Sequence, residues 1–164
     1  MSGAATCEVC DAAVAIDEGR DPYAIARLTT GYVKLLPTQY FRGYTLFSAR
    51  LCVREVYDLP TDVRALHLHE MAEVAHAVAR AFRPRKLNYE ALGNGTPHLH
   101  WHVIPRYEDD PHPRGPVWED LAFLRNLWLG SATPDPDGRD EMRRTVLREL
   151  RIANVDIERE FIGG

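Results

Sequence analysis

Long apolar runs are missing from this chain: no stretch approaches the ~20 residues that a bilayer-spanning helix needs. A basic excess is missing as well. Its 20 Lys and Arg stand against 24 Asp and Glu, a net charge of -4 with histidines neutral. That field does not favour a nucleic-acid backbone, so any phosphate must be held by local groups. Cysteine is scarce and odd in number, three in 164 residues. That is a poor disulfide framework and fits a reducing, cytoplasmic setting. The opening Met1-Ser2-Gly3-Ala4-Ala5-Thr6 has no basic region followed by an apolar run, and reads as no secretory leader. What is present is an ordinary globular balance, 45% apolar and 27% charged. It suffices for one core in one compact domain with a modest appendage.

Residues 1–22 read as an irregular lead-in. Short runs over 23–28, 31–36 and 44–49, rich in aromatic and β-branched residues and bounded by Gly or Pro, predict antiparallel strands. Pro60-Thr61-Asp62 reads as a helix start with Thr61 or Asp62 as its cap. Val63, Leu66, Val74, Ala77, Val78, Ala81 and Phe82 then share one helical face, and Pro84 ends the helix. Two further strands are expected over 86–92 and 98–104, joined by Gly93-Asn94-Gly95-Thr96-Pro97. Residues 105–116 read as loop, 118–129 as a short helix stopped by Gly130, and 131–140 as a linker. Met142, Val146, Leu150, Ile157 and Phe161 suggest a final amphipathic helix, with Arg143, Arg144, Arg148 and Arg151 on its solvated face. The order argues for α+β with a mainly antiparallel sheet, one long helix and a C-terminal helical extension. The division is 1–118 and 119–164.

His98, His100 and His102 recur every second residue, so in a strand their imidazoles line one face. Leu99, Trp101 and Val103 point to the other face. Three readings compete. Chance clustering is the plainest. A metal site is the second, since imidazoles on one strand commonly ligate zinc or iron; no carboxylate lies close in sequence. The third is nucleophilic catalysis at phosphorus. Neutral imidazole is a competent nucleophile, and its neighbours can orient it and donate to phosphate oxygens.

His98-Leu99-His100-Trp101-His102-Val103-Ile104 resembles the histidine-triad (HIT) family pattern at every position. The wider stretch LNYEALGNGTPHLHWHVIPR resembles its bacterial diadenosine-tetraphosphate hydrolase-like branch. The resemblance implies a HIT-like fold and a nucleotide hydrolase. His100 would attack the α-phosphorus to form a nucleotidyl-histidine, His102 would hydrogen-bond the phosphate or the bridging oxygen, and His98 would orient the cluster. It also implies substrate contacts at Asn88 and Asn94, with the Gly93 and Gly95 backbone, Thr96 and Trp118 beside them. A nucleotidyl transferase or phosphorylase on the same site, or a nucleotide-binding protein with little turnover, is the alternative. The partners implied are a nucleotide-like small molecule and a second copy in a homodimer, with no nucleic acid and no membrane.

The chain departs from the pattern at two places. Arg42-Gly43-Tyr44 stands where most relatives read Pro-Gly-His. The expected ribose-binding acid falls at Leu36, and no acid lies between Leu28 and Arg54. Cys7 and Cys10 form a single C-x-x-C that could bind zinc with His98. With Tyr44 in the fourth position the zinc set is expected to be incomplete, and the chemistry requires no cofactor. Cys52 reads as a packing residue. His67, His69 and His76 read as solvated helix surface.

Overall fold

The computed structural model describes residues 7–162. A six-stranded antiparallel sheet organises it. The strands are β1 (Ala24–Leu28), β2 (Gly31–Leu35), β3 (Thr45–Ala49), β4 (Lys86–Glu90), β5 (His100–Arg106) and β6 (Ile157–Glu160), in the spatial order β4-β5-β3-β2-β1-β6. The α+β class and the strands expected from composition are present, with bounds shifted by at most two residues.

Register sorts side chains between the two faces. Cross-strand pairing sets Ser48 beside His100, and Leu46 and Lys34 in line with His102. Phe47, Val33, Leu35 and Val103 therefore point to the opposite face, where they pack with Val74, Ala77 and Val78 of α2 (Thr61–Phe82) and Val146 and Leu150 of α4 (Pro136–Leu150). Strands with one face against helices and the other built around a site are what the alternation predicts.

Several expectations need correction. Residues 8–17 are not irregular but a helix, α1 (Glu8–Asp17). Its Val9, Ala12, Ala13 and Ile16 fall at the i, i+3, i+4, i+7 spacing of a buried stripe. α2 begins at Thr61 with Pro60 as N-cap and no side-chain cap, so neither Thr61 nor Asp62 caps it. Residues Pro105 and Arg106 still belong to β5. The linker expected up to residue 140 ends at Asp135, which caps α4 by accepting the Gly138 N–H. The last segment is not helix: β6 pairs with β1. Arg143 is not solvated either. It is buried, and its guanidinium donates to the Ala24 and Phe161 carbonyls, tying α4 to β1 and the chain end. Between β5 and α4, α3 (Leu121–Leu129) starts on its Asp120 cap and ends at Gly130, whose φ is 62°. No helix among the described residues is long and apolar enough to cross a membrane.

His67 is fully buried rather than solvated. The Trp101 indole N–H donates to its Nε2 at 3.1 Å, so its other nitrogen carries the proton and donates to Thr30 Oγ1 at 3.0 Å. Thr30 in turn donates to Glu70 Oε2, and Glu70 also accepts the backbone N–H groups of Thr29 and Thr30. Burial drives the His67 pKa down from 6.5 to about 4, against a hydrogen bond to Thr30 that opposes the shift. Because the folded state holds this ring neutral, the unfolded chain binds more protons below pH 6.5. Stability therefore falls as pH drops from 6.5 towards 4, by on the order of 3 kcal/mol from this group. Urea midpoints measured across that window should decline, and His67→Gln should flatten part of the slope.

Candidate active site

His100 and His102 project from β5 into a cavity of about 220 Å³ between the sheet and α1. Val9, Ala12, Ala13 and Ile16 of α1 form its apolar wall, facing Leu46, while Lys34, Ser48, Thr96 and Glu8 add polar groups. Lys34 is paired with Asp21. The helix is fixed at its far end by Asp17, which accepts from Arg27 and Tyr32 at 2.8 Å each.

Each triad ring has a defined hydrogen-bond state. His100 Nδ1–H donates to the His98 carbonyl at 2.6 Å, which leaves the Nε2 lone pair free. His102 Nδ1 lies 2.7 Å from the Tyr44 hydroxyl. Burial raises the Tyr44 pKa, with the charge of Glu90 adding to it, so the phenol keeps its proton and donates to His102. Burial, with the neighbouring His100, takes the His102 pKa down to about 4, so that ring is neutral and its remaining proton sits on Nε2. A bare imidazole nitrogen and an N–H donor therefore stand side by side, on rings whose centroids are 4.9 Å apart.

His98 does not line this cavity. It precedes β5 and is buried. Its Nε2–H donates to the Ala49 carbonyl at 2.8 Å, which turns a bare Nδ1 to Cys7 Sγ at 3.3 Å and Cys10 Sγ at 3.6 Å. Cys52 completes the group, and the four ligand atoms all lie within 4.8 Å of one another. Cys52, and not Tyr44, stands beside Cys7, Cys10 and His98, while Tyr44 hydrogen-bonds His102. Tetrahedral zinc with ordinary bond lengths sets its ligand atoms about 3.6–3.8 Å apart. Three sulfurs and one imidazole nitrogen, gathered within 4.8 Å of one another, are a donor set that suits that ion. The Ala49 carbonyl fixes the tautomer that presents Nδ1 as a ligand. Burial resists charging Cys7, but hydrogen bonds led by that from the Cys10 backbone N–H outweigh it and bring its pKa down to about 6. A thiolate is therefore available at neutral pH.

The expected substrate residues are dispersed. Thr96 lines the cavity, and its hydroxyl donates to Glu8. Gly93 and Asn94 line a different hollow on the other flank of His100, and Gly95 lines neither. Asn88 is committed elsewhere: its Oδ1 accepts from the buried Arg106 guanidinium, which lies over the Phe41 ring. Trp118 is half-exposed, lies outside both hollows and packs near Phe123. Three residues were not anticipated. Glu8 brings a carboxylate to the cavity from α1, where the sequence offered none near Leu36. Glu90 sits across the ladder from His102 with a buried oxygen that has no hydrogen-bond partner among the described residues, and burial pushes its carboxyl up. Cys52 is the third.

Residues 40–109 match the HIT domain family, a span that takes in Tyr44, Cys52 and the whole triad. The protein hit of Bacillus subtilis is 30% identical over 91 residues, 52% of this chain and 61% of that relative, so the match spans about three-fifths of its length. Among solved structures, a histidine triad protein from Marinobacter aquaeolei is 25% identical, covering 79% of this chain and 90% of that one with a TM-score of 0.60. A zinc-bound histidine triad family protein from Mycobacterium smegmatis is also 25% identical, covering 91% and 96% with a TM-score of 0.56.

Proposed function

We propose that this HIT domain transfers a nucleotidyl group to His100 and then to water, cleaving a phosphoanhydride or related bond in a dinucleoside polyphosphate or a nucleoside phosphoramidate-like substrate. The observation that carries this reading is the free Nε2 of His100 beside the Nε2–H of His102. His100 attacks the α-phosphorus as the bond to the leaving atom breaks. His102 Nε2–H hydrogen-bonds that atom and stabilises the electron pair it takes up, and the Tyr44 hydroxyl supports the ring from behind. Water then attacks the phosphorus of the nucleotidyl-histidine; the phosphorus–nitrogen bond breaks, its electron pair returns to His100 Nε2, and the water's proton is released to solvent. With phosphate or another acceptor in place of water, the same intermediate makes the chain a phosphorylase or transferase. The apolar wall of α1 takes the nucleoside, with Glu8 and Thr96 at reach of its hydroxyls.

The Cys7, Cys10, Cys52 and His98 set is proposed to hold zinc, and the similar structure from Mycobacterium smegmatis is itself zinc-bound. The ion would clamp α1 to the end of β3 and supply no step of the chemistry. The free outer edge of β4, with its exposed Tyr89, is where a second copy would extend the sheet into a homodimer.

Tyr44→Phe tests the supporting hydrogen bond without removing the ring from its packing. It should lower kcat about ten- to a hundredfold and leave KM nearly unchanged, because one donor to a buried acceptor is lost. An unchanged kcat would show that His102 needs no such support.

A further inference from the structure

A second cavity, of about 230 Å³, opens on the other flank of His100, bordered by Arg54, Glu55, Gly93, Asn94 and Pro97. Among the described residues, His100 alone lines both this cavity and the one under α1. The nucleophile therefore stands between an apolar chamber and a polar one. The polar chamber is rich in unused donors. The Arg54 guanidinium and the Asn94 side-chain amide make no hydrogen bond or ion pair among the described residues, and neither do the backbone N–H groups of Gly93 and Asn94. Gly93 has a φ of 63°, a left-handed backbone state that glycine adopts without strain. Glu55, the acid at the rim, belongs to the capping box of the turn at Val56–Asp58.

A guanidinium, an amide and free backbone N–H groups in one hollow suit a tetrahedral oxyanion. We propose that this cavity is the subsite for the leaving arm of the substrate, that the arm is a polyphosphate chain, and that Arg54 selects it by charge. The proposal rests on the nucleotidyl-transfer reading. The nucleoside occupies the chamber under α1, and the arm beyond the scissile bond enters the second. As the bond from the α-phosphorus to the bridging oxygen breaks, its electron pair goes to that oxygen. Arg54 and the turn N–H groups meet the negative charge that the departing arm carries.

Two substrates with one nucleotidyl group separate the claims: a dinucleoside polyphosphate, with an anionic arm, and a nucleoside phosphoramidate of a neutral alkylamine. Arg54→Ala should lower the kcat/KM preference for the anionic arm about tenfold or more, the loss expected for a charge-assisted hydrogen bond. An unchanged preference overturns the subsite. Arg54 is exposed, so the variant is expected to fold. Calorimetric titration with inorganic tripolyphosphate reads the subsite without turnover. Wild type should bind it, and Arg54→Ala should bind it about tenfold more weakly. No binding, or equal binding, overturns the proposal. If wild type turns over neither nucleotide while tripolyphosphate binding depends on Arg54, the transfer reading fails and the anion subsite stands.

Discussion

Replacing His100 with alanine should reduce kcat by about a thousandfold or more while the protein stays folded. The size follows from the role. A group that forms the covalent intermediate has no substitute among its neighbours, and losing a nucleophile costs far more than losing a hydrogen bond. His98 cannot stand in, because its ring is turned into the thiol cluster. His102 cannot either, since its Nδ1 is held by Tyr44 and its Nε2 carries a proton. The side chain of His100 is only part-buried and borders two hollows, so its removal opens no core cavity and should change stability by less than ~1 kcal/mol. His102→Ala, which removes a hydrogen-bond donor to the leaving atom, should cost about a hundredfold or more. Steady-state kinetics with a dinucleoside polyphosphate, with thermal unfolding alongside, checks both. Near-normal turnover in the His100 variant would remove it from the reaction.

The second large effect is expected at Cys52. Cys52→Ser should remove tightly held zinc and lower Tm by about 10 °C or more, since a structural zinc site contributes several kcal/mol of folding free energy in a domain of this size. The cluster joins three distant parts of the chain: the start of α1, the segment after β3 and the residue leading into β5. Breaking it frees α1, whose apolar stripe walls the cavity, so KM should rise as well. Elemental analysis of protein purified without added metal or nickel affinity is the check. Wild type should carry one zinc per chain after dialysis and the variant none. Equal metal content in the two would show that Cys52 is not a ligand.

Histidine spacing made the site legible in the sequence, because period-two alternation puts His100 and His102 on one face whatever the rest of the chain does. The first five strands were legible from short runs of aromatic and β-branched residues bounded by Gly or Pro. What escaped was non-local or misread in period. α1 is rich in alanine and reads as an unpatterned lead-in, although Val9, Ala12, Ala13 and Ile16 carry a helical stripe. His67 looks solvated by residue type, yet it lies on the α2 face of Glu70, Val74 and Val78. There its two nitrogens are satisfied by Trp101 and Thr30. Ile157 and Phe161 have helical spacing, but the chain turns after Arg151 and the segment adds to the free edge of β1. Cys52 meets Cys7 and Cys10 only through the fold, since more than forty residues separate it from the C-x-x-C pair and from His98. Register explains the split of the expected substrate residues: Asn88 pairs with Ile104 on β5 and is spent on Arg106.

The central claim is a covalent nucleotidyl-histidine at His100. Its most direct test is rapid quenching of the enzyme with a dinucleoside polyphosphate, followed by intact-mass measurement and peptide mapping under conditions that preserve phosphoramidates. The account predicts a mass increase of one nucleotidyl group on the peptide that contains His100, and no increase in His100→Ala. Full turnover by wild type without any adduct, together with an active His100→Ala variant, would contradict it.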